Sequence, residues 1–299
     1  MAAAGSLGLL QAPSSFTAAA ASRPASRRAP RALFAVRASA AADATKDAVL
    51  KAFREKRALK IISGLQNFDR SSVASVVSAA DKGGATHVDI ACDQDLVKLA
   101  LELTSLPICV SSVDPSAFRS AVEAGAKMAS NSLLRSYTRF VSEKNCSSFQ
   151  ILKLTKETRE MLPDITLSVT VPHTLSLLDQ VRLAELLQEE GADIIQTEGG
   201  KCSSPTKPGV LGLIEKATPT LAAAYSISRA VTIPVMCASG LSSVTAPMAV
   251  TAGAAGVGVG SAVNKLNDIV AMVAEVKSIA EALGLPSRNV SSNLRTVHH

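Results

Sequence analysis

Four ionisable side chains stand in or just after short apolar runs: Lys60 between Leu59 and Ile61, Asp89 in HVDIA, His173 after SVTVP and Glu198 in IIQTEGG. Groups of these types, held at strand ends, can move protons. Along an extended segment side chains alternate between faces, so if Val88 and Ile90 face outward, Asp89 points inward. Lys60 alternates with Leu59 and Ile61 and enters the same interior, which predicts a Lys60–Asp89 pair. A buried carboxylate needs such a partner. The pair reads either as part of a catalytic site or as a structural ion pair, and an inward lysine could also serve as a Schiff-base amine. Gln196 and Glu198 share a face and precede Gly199-Gly200, making Glu198 the first choice for a general acid or base. His173 either shuttles a proton or caps the helix after it. Ser63, Asn67, Ser111 and Ser112 read as hydroxyl-binding groups or as ordinary turn residues.

A second constellation suits an anion. IPVMCASGLSSVTAPMAVTAGAAGVGVGSAV, residues 233 to 263, reads as strand, Ser-Gly turn, helix, Gly-Ala turn, glycine-rich strand and helix start. Small residues at Ser239-Gly240 let backbone N–H groups approach a phosphate, with Ser242 and Ser243 placed to cap the next helix. Gly256, Gly258 and Gly260 alternate with Val257 and Val259, leaving one strand face bare, and Ser261 opens the last helix. The phosphate-binding set is therefore Ser239, Gly240, Gly258, Gly260 and Ser261. Close helix packing is the competing use of such glycines.

The elements that must position these groups alternate strand and helix. Strands are predicted at 59–64, 86–91, 107–112, 165–171, 193–198, 232–239 and 255–260, with a doubtful one at 127–130. Gly-Ala pairs at Gly84, Gly125, Gly191 and Gly253 end helices and enter the even-numbered strands. Pro107, Pro163 and Pro234 stand at the entrances of strands three, five and seven. Eight parallel strands with outer helices close most readily into an α/β (β/α)₈ TIM barrel of phosphate-binding type, spanning 59–283, with strand four doubtful. The rival, an open doubly wound sheet, lacks a first-turn G-x-G-x-x-G. A charged helix at 45–57, with Val49, Leu50 and Phe53 on one face, is expected to cover the bottom. A long helix at 208–229 is expected to divide at Pro219. The last helix, 261–283, is expected to pack Val263, Leu266, Val270, Val273 and Ile279 inward, and 284–299 reads as a tail.

Composition narrows the partners. The formal net charge is +6, but Arg23, Arg27, Arg28, Arg31 and Arg37 lie in a leader without acidic residues. Without those five, the 31 basic residues nearly balance the 25 acidic ones, which argues against nucleic acid. The Ala- and Ser-rich leader has the composition of a transit peptide, with residues 39–58 as an extension and helix after it; an uncleaved tail is the alternative. VRAS at Val36–Ser39 resembles a plastid processing site, so a chloroplast stromal protein starting near Ser39 is expected. Five cysteines without ligand spacing form no zinc site; Cys109 and Cys237 read as core residues, Cys92 and Cys202 as exposed thiols. No apolar run suits a membrane span.

IISGLQNFD at Ile61–Asp69, SVTVPHTL at Ser168–Leu175, IIQTEGG at Ile194–Gly200 and CASGLSSVTAPMA at Cys237–Ala249 together resemble the Ycf23 family. That resemblance runs from about Leu59 to Leu283 and implies a plastid or cyanobacterial protein with an aldolase-type barrel and no established reaction. Residues 127–148 depart from the family pattern, losing strand periodicity and carrying four basic residues against one acidic. The joint change points to a gene-model, splicing or reading-frame alteration. The chemistry expected is isomerase, lyase or synthase proton transfer on a small phosphorylated metabolite, with Glu198, Asp89, Lys60 and His173 as catalytic candidates and Ser63, Gln196, Gly199 and Gly200 contacting substrate. No metal is expected and no cofactor is required. An FMN-dependent oxidoreductase and a non-catalytic metabolite-binding or regulatory barrel are the alternatives.

Overall fold

The computed structural model describes residues 45–132, 144–200 and 205–286. The expected leader, Cys202, the 287–299 tail and the centre of the divergent 127–148 stretch lie outside them.

Eight strands, β1 (Ala58–Ile62), β2 (His87–Ala91), β3 (Ile108–Ser112), β4 (Met128–Asn131), β5 (Thr166–Val171), β6 (Ile194–Thr197), β7 (Val235–Ala238) and β8 (Gly256–Val259), pair in sequence order as a closed parallel barrel. Around them run α1 (45–54), α2 (Arg70–Gly83), α3 (Gln94–Leu103), α4 (Phe118–Glu123), α5 (Lys144–Met161), α6 (Leu177–Glu189), α7 (Gly209–Ile227), α8 (Ala246–Thr251), α9 (Ser261–Asn264) and α10 (Ile269–Ala282). The main core lies between strands and helices, built from residues such as Val76, Val88, Ile90, Leu167, Leu183, Ile195 and Val257. The Gly-Ala signal has a direct cause. Gly84 turns to φ 86° and Gly191 to φ 88°, and the next N–H reaches back five residues, from Ala85 to the Ala80 carbonyl and from Ala192 to Leu187, both at 2.9 Å. That is the Schellman closure, which frees the chain to enter a strand.

A second apolar cluster closes the bottom. Val49 and Phe53 of α1 pack with Ala58, Cys109, Met128, Ile194 and Met236. His87 Nε2 lies 3.0 Å from the Val49 carbonyl and Nδ1 lies 2.7 Å from the Thr86 hydroxyl. Burial pushes the His87 imidazole down to about 4; the Val49 carbonyl opposes it, and the nearby Lys60 charge adds a smaller push downward. At the entrance of β6, Asp193 accepts from Lys46 at 2.6 Å and from Arg159 at 2.7 Å. The Arg159 guanidinium also donates to the Gly191, Leu162, Pro163 and Ile165 carbonyls, tying α5 to the entrances of β5 and β6.

Several expectations are corrected. Strand four forms: Met128–Asn131 pairs with both β3 and β5, and all four residues are buried. Two flanking ladders override the low strand propensity of Ser130 and Asn131. Helix α7 is continuous through Pro219, because Ala217 and Thr220 on either side are buried against the barrel. The final segment is two helices, with Asp268 capping α10 through the Ala271 N–H at 2.7 Å. The break turns Leu266 and Val270 outward, 40% and 73% exposed, while Val263 and Ile279 stay buried as expected. Ser242 and Ser243 precede α8 without capping it; Thr245 occupies the N-cap position without a side-chain capping bond, and its hydroxyl instead accepts from the Ser242 N–H at 2.9 Å.

Candidate functional site

At the carboxyl ends of the strands a cavity of about 640 Å³ opens. Its floor is polar. Lys60 Nζ lies 2.9 Å from Asp89 Oδ2 and donates to Gln196 Oε1 at 3.0 Å, and Ser111 Oγ donates to Asp89 Oδ1 at 2.6 Å. Asp89, Ser111 and Gln196 line the cavity, whereas Lys60 lies beneath it, fully buried. Burial is the largest single influence and lowers the Lys60 pKa, but Asp89 and Cys109 together outweigh it and hold the ammonium above the ordinary lysine value. That arrangement keeps Lys60 a cation with its protons engaged, the opposite of what an amine nucleophile needs.

A second pair sits at the rim. His173 Nδ1 lies 2.8 Å from Glu198 Oε2, which also receives the His173 backbone N–H at 3.4 Å. Both side chains are partly exposed, 22% and 30%. His173 does not cap α6; Ser176 does, accepting from Asp179 N–H. Glu198 lines the cavity with Gly199 and Gly200, and His173 stands behind Gly200, where an added Cβ would meet its ring at 3.0 Å.

The anion end is formed by the loops after β7 and β8. Ser239 and Gly240 both adopt positive φ, 80° and 73°. The N–H groups of Ser239, Gly240, Gly260 and Ser261 meet no protein acceptor among the described residues, and all four residues line the cavity together with Gly258. Gly258 leaves room there: an added Cβ would stand 3.0 Å from Ala238 Cβ and 3.1 Å from Ile62 Cδ1. Threonines hold the β7 loop in place. Thr220 of α7 donates to the Ala238 carbonyl at 2.6 Å, and the Ala238 N–H donates to Thr197 Oγ1 at 3.2 Å. Two cations that strand-end reasoning missed, Lys216 of α7 and Lys265 after α9, also line the cavity and make no ion pair among the described residues. Lys265 follows Ser261 by one helical turn, a spacing readable in GSAVNK; Lys216 sits inside a helix and gives no such signal.

Not every candidate converges. Ser63 is buried, accepts from Asn67 Nδ2 at 2.9 Å and is absent from the cavity wall. Ser112 accepts from the Asp114 N–H, an ordinary turn role. Cys92 is half-buried rather than an exposed thiol, donates to the Ala117 carbonyl, and burial with nearby Asp93 and Asp114 pushes it up to about 12. Cys109 and Cys237 are buried as expected, and burial raises both thiols, Cys237 to about 11. Among the described residues no His, Cys, Asp and Glu cluster could hold a metal ion, and no helix is long and apolar enough to cross a membrane.

Fold and cavity together define a (β/α)₈ barrel whose polar site lies at the carboxyl ends of its strands. Solved structures agree on the fold. The barrel matches an aldolase named QR15 at TM-score 0.53 and 20% identity, covering 76% of this chain and 93% of that one. It matches the (S)-3-O-geranylgeranylglyceryl phosphate synthase of Thermoplasma acidophilum at TM-score 0.53 and 14% identity, over 80% and 97%. It matches 3-hexulose-6-phosphate synthase at 0.52 and 15%, over 75% and 99%. By sequence, the family described as "Protein of unknown function (DUF561)" matches residues 44–288. The protein named ycf23 of Cyanophora paradoxa is 41% identical over 221 residues, 74% of this chain and 90% of its own length, and that of Porphyra purpurea 34% over 243 residues, 81% and 90%. The chain belongs to the DUF561, or Ycf23, family. Relatives of that name come from plastid genomes of algae and Cyanophora, which implies a plastid origin.

Proposed function

We propose that this barrel binds a small phosphorylated metabolite and catalyses proton transfer on it, as an isomerase, lyase or synthase would. The observation that carries the reading is that four backbone N–H groups without a protein acceptor among the described residues line the same cavity as Lys216 and Lys265. Backbone donors and lysines of this kind suit a phosphate dianion. The names of the barrels with similar folds include phosphate-ester synthases, which is consistent with it. Glu198, oriented by His173, faces the cavity as the general acid or base. The Lys60–Asp89 pair shapes the floor.

The same loops would hold the phosphate of FMN, the second expectation. Among the described residues the cavity wall is lined by small, aliphatic and polar side chains without an aromatic ring, so they offer no stacking surface for a flavin ring. A stromal location, with removal of residues 1–38, completes the proposal. A thermal-shift screen of the purified chain tests it. Phosphorylated sugars and inorganic phosphate should raise the melting temperature, and failure of every phosphate compound overturns the reading.

A further inference from the structure

We infer that the cavity floor is a hydroxyl-reading subsite, so that the phosphorylated ligand is a short polyhydroxylated compound whose hydroxyl-bearing end lies against Ser111 and Gln196. The inference rests on the phosphate reading above and adds what the rest of the ligand must be.

The chemistry follows from which atoms are already committed. Lys60 has only protons to give, so the Gln196 carbonyl oxygen must face it and the amide NH₂ is turned away. That NH₂ has no acceptor among the described residues, and Gln196 lines the cavity. Asp89 has only lone pairs on the side facing Ser111, so the Ser111 proton points to Asp89 and its free lone pairs remain available beside it. The floor thus offers one donor and one acceptor, fixed in orientation by the buried ion pair between them. A hydroxyl, which donates once and accepts, satisfies both; an alkyl or prenyl end satisfies neither.

A second observation is independent of these contacts. In the β3–β4–β5 register Ser111 stands opposite Ser130 and Ser130 opposite Ser168, so all three share the inner face. Ser130 and Ser168 are fully buried, and their hydroxyls meet no partner among the described residues. An unpaired buried hydroxyl costs about 1–3 kcal/mol. The interior beneath the cavity therefore carries hydroxyls on the β3–β5 side, next to the Ser111 end of the floor.

The test is calorimetry on the full chain with two matched pairs of probes, n-propyl phosphate against glycerol 3-phosphate and n-pentyl phosphate against ribose 5-phosphate. The hydroxylated member of at least one pair should bind about tenfold or more tightly. Gln196→Met should bring that ratio toward one; should that variant fail to fold, Ser111→Ala carries the same comparison. Equal binding within both pairs overturns the hydroxyl subsite while leaving the phosphate grip standing. Absence of binding by all four probes and by inorganic phosphate overturns the grip and the subsite together.

Discussion

Lys60 Nζ of β1 lies 2.9 Å from Asp89 Oδ2 of β2, with the two side chains 0% and 2% exposed. The pair joins neighbouring strands at the floor of the site, and each charge exists there only because the other does. Asp89→Ala should therefore cost about 3–5 kcal/mol by leaving an unpaired buried ammonium. Lys60→Met combined with Asp89→Leu should recover most of that loss, since an apolar pair of similar volume removes both charges. Chemical denaturation of the three proteins reads it. Because the folded Lys60 pKa is raised, its stabilising contribution is complete below the ordinary lysine value and fades as pH climbs through the raised one.

His87 predicts the behaviour at the acid end. Its folded value of about 4 lies below the ordinary 6.5, so the unfolded chain takes up a proton first and stability falls as pH drops from about 6.5 towards 4. The full contribution is about 3 kcal/mol at 1.36 kcal/mol per unit. Protonation would also turn the imidazole charge toward Lys60. His87→Gln should flatten that part of the stability–pH curve; an unchanged slope would remove His87 as its cause.

The turn at Ser239-Gly240 carries strain at one residue and needs glycine at the next. Ser239→Gly should stabilise the fold by about 1 kcal/mol, since φ 80° disfavours an L side chain. Gly240→Val places its Cβ 2.7 Å from the Lys216 carbonyl at φ 73°. It should cost about 1–3 kcal/mol and weaken phosphate binding by displacing the loop. Melting curves with and without inorganic phosphate separate the two effects.

At the rim, Glu198→Gln keeps a hydrogen bond to His173 but removes the base. Turnover should fall about 10²-fold or more with little change in substrate affinity. His173→Asn should act more weakly, through orientation of Glu198. Undiminished turnover in Glu198→Gln would remove Glu198 as the base, whereas an unaltered chain that binds phosphorylated ligands and turns none of them over would favour a binding or regulatory barrel.

Much of this fold was legible because its turns have local causes. A glycine at positive φ followed by an N–H closing on the previous helix is written in the Gly84-Ala85 and Gly191-Ala192 pairs themselves. The inward direction of Asp89 and Lys60 followed from alternation. β4 reads as doubtful in the sequence because Ser130 and Asn131 form a strand by virtue of neighbours distant in sequence. The break before α10 was missed although Asp268 signals it, since the apolar run through Leu266 and Val270 imitates a helix face. Lys216 was illegible for a different reason: it reaches the cavity from the middle of a helix, and only the packing of α7 against β7 brings it there.

The central claim is the phosphate grip, and calorimetry of Lys216→Met, Lys265→Met and their combination against the unaltered chain tests it most directly, using inorganic phosphate and ribose 5-phosphate at low ionic strength. Each single variant should bind about tenfold less tightly, and the double variant less still, as loss of a charge-assisted hydrogen bond implies. Binding that survives unchanged in the double variant, or a parent chain that binds neither phosphate, would contradict the account.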